Sequence, residues 1–125
     1  MAGALFALDC LGMESASPVR GHLDVMLLSV LAGGPAHGYA VMEKLRGRSD
    51  GLFALPEGTV YPALYRLEQE GLLASRWAAG SGRRRRVYEI TPRGLARLGA
   101  RRRAWADFAA AVNAVLEEPL CAPTP

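Results

Sequence analysis

The segment Glu57-Gly58-Thr59-Val60-Tyr61-Pro62-Ala63-Leu64-Tyr65-Arg66-Leu67-Glu68-Gln69-Glu70-Gly71-Leu72-Leu73 constrains the fold of this chain more than any other. Val60, Leu64 and Leu67 recur at helical spacing and predict one inward face. Thr59, Tyr61, Pro62, Tyr65 and Arg66 are left on the outer side. There a hydroxyl, two phenols and a guanidinium can bond phosphates and base edges in a major groove. Gly71 is the natural stop for this helix. A glycine-bearing turn, Gly80-Ser81-Gly82, then leads into Arg83-Arg84-Arg85-Arg86. A short helix followed by a basic hairpin is the layout of a winged helix-turn-helix.

The flanking sequence completes that layout. Pro18 suits a first helical turn, and Leu23, Met26, Leu27, Val30 and Leu31 then line one face up to Gly33-Gly34-Pro35. His37-Gly38-Tyr39 opens a second helix with Val41, Met42 and Leu45 inward, which fades in the loop Gly47–Gly51. Pro62 fits the third helix if it stays close to the first turn, where amide donors have no intrahelical partner. Residues 73–78 and 86–90 read as the two strands of a wing, with Trp77, Tyr88 and Ile90 covering one side. Thr91-Pro92 is an N-cap followed by proline at the first helical position, and nothing breaks the pattern from Pro92 to Glu117. That predicts a helix of about 39 Å at 1.5 Å per residue, too long for so small a core to cover. Leu98, Trp105 and Val112 fall seven apart, with Leu95, Phe108 and Val115 around them, and this seam predicts a second copy of the chain as partner. The expected class is therefore mainly α with a small two-stranded β wing. Its parts are an N-terminal arm (1–17, expected to be flexible), a winged helix-turn-helix (18–90), a C-terminal dimerisation helix (91–117) and a flexible tail (118–125).

Charge points the same way. Of the 15 basic residues all but Lys44 are Arg, whose planar fork suits phosphate and guanine. Residues 83–103 hold nine Arg against one Glu, whereas the segments on either side are net acidic. Positive charge concentrated on one segment is the footprint of a polyanion partner. Cys10 and Cys121 lie near opposite termini with no ligand-spaced neighbour, so neither a zinc site nor a disulfide framework is indicated. Free thiols and the lack of a long apolar run favour a cytoplasmic protein with no membrane partner. No nucleophile, base and orienter can be assembled, and no phosphate-cradling glycine motif or metal spacing occurs, so neither an enzyme nor a cofactor is expected.

Gly21-His22-Leu23-Asp24, His37-Gly38-Tyr39, the run Gly58–Glu68 with Gly71-Leu72, and Arg84-Arg85-Arg86-Val87-Tyr88-Glu89-Ile90-Thr91 followed by Gly94 together resemble the PadR family of winged-helix transcriptional regulators, in its short form with a single C-terminal helix. The resemblance covers roughly residues 20–117. It implies a homodimer on an inverted-repeat operator in double-stranded DNA, usually as a repressor, and in some members release by a small aromatic or hydrophobic effector. It also implies recognition-helix contacts from Thr59, Tyr61, Pro62, Tyr65 and Arg66, with Arg83, Arg84, Arg85 and Arg86 along the backbone or adjacent minor groove. Trp105 aligns with a tryptophan that stacks flat ligands at the dimer centre, with Phe108 beside it. Pro56 departs from the Ser or Asn cap common at that position.

Each feature also has a plainer reading. The arginine run could be a solvated turn, although four adjacent like charges usually need a partner. Tyr61 and Tyr65 could pack at a helix interface, and Trp105 could serve only as a dimer-core aromatic. Arg101-Arg102-Arg103 could be surface charge, partners of Asp107 or Glu117 across subunits, or phosphate contacts. His37 is expected to hydrogen-bond at a helix start. A winged-helix protein-interaction module, or a non-specific DNA-binding protein, are the competing functions, and the arginine run argues against the first.

Overall fold

The computed structural model describes residues 18–80 and 83–117. The arm, the tail, both cysteines and the turn residues Ser81 and Gly82 lie outside the described residues.

Helix α1 (Pro18–Ala32) is the central element, touching α4, α2, α3 and β3. Leu23, Leu27, Leu28, Val30 and Leu31 are buried in it, whereas Met26 only packs against the edge of the core. Leu28 is thus a core residue outside the expected stripe, because α1 is covered on more than one side. Gly34 (φ 143°) turns the chain. A two-residue strand follows, β1 (Ala36–His37), and then α2 (Gly38–Arg48). His37 caps α2: its Nδ1 accepts from the Ala40 N–H at 3.3 Å.

Helix α3 spans Glu57–Gln69 and buries Val60, Ala63, Leu64 and Leu67. Pro56 sits at its N-cap and offers no side-chain cap bond. Pro62 is the sixth helical residue rather than a first-turn residue. It therefore removes the amide that would bond the Gly58 carbonyl, a loss tolerated because both residues are exposed and water can serve the carbonyl. Gly71, at φ 78°, ends the helix in a Schellman motif: its N–H donates to Glu68 O at 3.0 Å and the Leu72 N–H to Leu67 O at 3.0 Å.

The wing is β2 (Leu73–Gly80) against β3 (Arg83–Ile90), antiparallel, with Leu73 opposite Ile90 and Gly80 opposite Arg83. Both strands run farther toward the tip than the sequence predicted. The sheet has three strands, not two, because β1 adds to the other side of β3 with Ala36 opposite Tyr88 and His37 opposite Val87. A two-residue strand carries no periodicity, so only the long-range pairing reveals it.

Helix α4 (Pro92–Leu116) starts as predicted: Thr91 Oγ1 accepts from the Gly94 N–H at 3.0 Å, and its hydroxyl donates back to Gly71 O at 2.8 Å. Gly94 and Leu98 are buried near its root. Leu98 is only 2% exposed and belongs to the subunit's own core, a correction to its expected place in an interface. No helix among the described residues is long and apolar enough to cross a membrane, and no described cluster of His, Cys, Asp and Glu could hold a metal ion.

Candidate nucleic-acid interface

Three elements meet at one exposed cleft of about 350 Å³, lined by His37, Gly38, Tyr39, Tyr61, Arg85 and Arg86. They are the start of α2, the outer face of α3 and the middle of β3 in the wing. Gly38 makes the approach possible. A Cβ there would lie 2.3 Å from the Tyr61 ring, so only glycine lets α2 and α3 close to this distance. Tyr61 consequently has both roles considered from the sequence: one edge packs on α2, while about two-fifths of the residue stays open to solvent. Tyr65, one turn on, is 62% exposed, and Thr59 and Pro62 are exposed beside them.

Arg66 is placed differently from the expectation. Its guanidinium pairs with Asp24 of α1, which orients the C-terminal half of α3 on the core and uses part of its charge locally. The partners are 42 residues apart, so nothing in the local sequence marks the pair.

The arginine run lies in a strand rather than a turn, so successive side chains point to opposite faces. Arg85 approaches His37, with Nη1 at 2.9 Å from Nε2. A neutral imidazole has one acceptor nitrogen, and Nδ1 already accepts the Ala40 N–H. Nε2 then carries the proton and cannot also accept from Arg85. In that tautomer the ring gives Arg85 no hydrogen bond, and its guanidinium can turn outward to an anion. On the other face, the Arg84 and Arg86 guanidinium carbons lie 4.9 and 5.2 Å from the Trp77 ring centre. Trp77 was expected to cover the core beside Tyr88 and Ile90; it does share their face, but it sits one pair beyond the last core pair, Ser75 with Tyr88, and is 54% exposed. Arg86 also reaches Glu68 of α3 at 3.6 Å, and Glu68 accepts from Ser75 Oγ at 2.7 Å. Burial pushes the Tyr88 phenol above its ordinary pKa, nearby Glu68 and Tyr61 add to the rise, and Arg86 opposes it. Of Arg83 the structure gives the backbone pairing with Gly80. Sequence reasoning missed Tyr39 and the Trp77 platform; the alternation of Trp77 with Arg84 and Arg86 across a hairpin was the available signal.

A second exposed region runs along α4. Leu95, Trp105, Phe108, Val112 and Val115 are all exposed, with Val115 at 73%. Trp105 meets the His22 ring edge-on at 4.9 Å and Phe108 at 5.8 Å between ring centres. Together with Val25, Arg101 and Ala104 they line a recess of about 260 Å³. Arg102 donates to Ser29 Oγ at 3.2 Å, which ties it to α1.

Residues 27–100 match the sequence profile described as the transcriptional regulator PadR-like family. A transcriptional regulator of Mycobacterium tuberculosis is 37% identical over 90 residues, covering 72% of this chain and 81% of its own. Among solved structures, a PadR family transcription regulator from Clostridium difficile superposes with a TM-score of 0.70 at 32% identity, covering 77% of this chain and 99% of its own. A PadR family regulator from Eggerthella lenta superposes at 0.69 with 36% identity, over 80% and 86% of the two chains.

Proposed function

The chain belongs to the PadR-like family of transcriptional regulators, and from that premise we propose that it is a repressor that binds an inverted-repeat operator as a homodimer. The observation that carries this reading is the convergence of the exposed α3 face and the arginine strand on one side of the subunit, at the cleft shared by Tyr61 and Arg85. Helix α3 enters the major groove, with Thr59, Tyr61, Pro62 and Tyr65 toward base edges and the sugar-phosphate wall. The wing lies along the flanking backbone, where Arg83, Arg84 and Arg85 meet phosphates. The exposed apolar stripe of α4 supplies the dimer seam from Leu95 past Leu98 to Trp105, Phe108, Val112 and Val115. Two recognition helices must then sit about 34 Å apart to read successive major grooves. A small aromatic effector seated in the recess at Trp105 would alter the angle between subunits and so release DNA.

The test is fluorescence anisotropy with DNA from immediately upstream of the protein's own gene against scrambled DNA, titrated over salt. A preference of at least about 100-fold, ~2.7 kcal/mol, is expected. With about four phosphates neutralised per subunit, log K should fall against log salt with a slope near −7, at about −0.9 per contact. A slope shallower than about −3 would remove the wing from the contact; absence of binding at low salt would refute the reading as a whole.

A further inference from the structure

Arg84, Arg85 and Arg86 of the wing are chemically alike in sequence but not in place. Trp77 is a large aromatic set where the hairpin has already left the core, and it belongs neither to the buried core nor to the partly buried hydrophobics packed against it. What it touches is charge: Arg86 directly opposite in the ladder, and Arg84 on the diagonal. Two cations two residues apart on one strand face repel, and an aromatic face offers each an attraction that survives in water. A guanidinium resting on a ring uses its face and leaves its N–H edge free, which is the edge that grips phosphate. Arg86 is further occupied by Glu68, which Ser75 holds in turn. Arg84 forms no ion pair among the described residues.

We propose that Trp77 is the positioning residue of the wing. It holds Arg84 as the phosphate-gripping guanidinium, while Arg86 serves as a strut that fixes the wing to the recognition helix through Glu68. The partner is a DNA backbone phosphate, and the inference rests on the DNA-binding reading above.

A double-mutant cycle read by anisotropy over salt tests it, using Trp77→Leu, Arg84→Gln and the pair. Arg84→Gln should flatten the dimer's salt slope by about 2, one phosphate from each wing. Trp77→Leu should weaken binding about tenfold, ~1.4 kcal/mol, with the slope unchanged, because no charge is removed. Trp77→Phe, which keeps a ring, should recover most of that loss. In the Arg84→Gln background Trp77→Leu should cost less than about threefold, since the group it positions is gone. A full tenfold loss in that background would overturn the proposal, as would a changed slope in Trp77→Leu or an Arg84→Gln slope equal to the parent's. If Leu lowers the melting temperature, the same cycle run with Trp77→Thr gives the answer. Failure of the unmodified protein to bind DNA would overturn the DNA reading itself, whereas normal binding with a silent Trp77→Leu overturns the positioning role alone.

Discussion

Replacing Gly94 with alanine should destabilise the protein although it places a good helix former inside a helix. A Cβ at this position would stand 2.2 Å from the Leu72 carbonyl oxygen and 2.7 Å from Ile90 Cγ1. Non-bonded carbons rest at about 3.5 Å, so the root of α4 must retreat by roughly 1 Å or more. The oxygen in the way belongs to backbone and is itself engaged, accepting the Thr91 N–H at 3.1 Å and sharing the Thr91 hydroxyl proton, at 3.1 Å, with Gly71 O. Overpacking of this kind costs about 1–3 kcal/mol, and each strained hydrogen bond adds up to about 1 kcal/mol. The gain in helix propensity returns about 1 kcal/mol, leaving a net loss of roughly 2–3 kcal/mol. Gly47→Ala is the matched control. That glycine lies inside α2 with open space where a Cβ would go, so the same exchange should stabilise by about 0.5–1 kcal/mol. Urea unfolding followed by far-ultraviolet circular dichroism measures both, as midpoint shifts at constant slope. A Gly94→Ala protein within about 0.5 kcal/mol of the parent, the scatter of ordinary surface changes, would refute the argument that α4 is docked by backbone contact.

The other expectations concern the seam, the cleft and the buried phenol. Leu98→Ala should cost about 2–5 kcal/mol as a core truncation, while Val115→Asp, at an exposed position of α4, should leave far-ultraviolet helicity intact but shift sedimentation toward the monomer; a stable Leu98→Ala protein would return that residue to the interface. Gly38→Ala should push the Tyr61 ring out of the cleft and weaken DNA binding, and adding Tyr61→Ala should make the Gly38 change silent, so equal Gly38→Ala effects with and without Tyr61 would contradict the packing. Above the ordinary tyrosine pKa of 10.0 the unfolded chain sheds the Tyr88 proton while the folded chain keeps it. Stability therefore falls as pH rises through that range and levels off above the raised native pKa. Tyr88→Phe, measured by urea unfolding between neutral and strongly alkaline pH, should lack that part of the loss.

On the proposed reading, α4 would couple the dimer seam to the DNA face. Its first turns are fixed to the winged domain by Thr91, Gly94 and Leu98, Arg102 and Trp105 still touch α1, and the whole helix is about 37 Å long at 1.5 Å per residue. In the proposed dimer, a change of packing at Trp105 would therefore tilt α4 and, with it, the domain that carries α3 and the wing. This is the geometric reason to expect an effector at that recess to act on operator spacing.

Local chemistry was legible in the chain. The periodicity of Val60, Leu64 and Leu67, the Gly71 stop, the Thr91-Pro92 start and the histidine at the head of α2 each depend on residues within a turn or two, so sequence alone placed the helices, their ends and the hairpin. The tertiary structure decided everything that depends on distant partners. It gave β1 its strand by pairing it with residues 50 or more positions away, took Leu98 from the seam into the core, and bound Arg66 to Asp24. It also turned the equivalent Arg84, Arg85 and Arg86 into groups with different neighbours, because a strand alternates its faces and each face meets different elements. Spacing along a chain reports which side a residue faces; only the assembled fold determines what waits on that side.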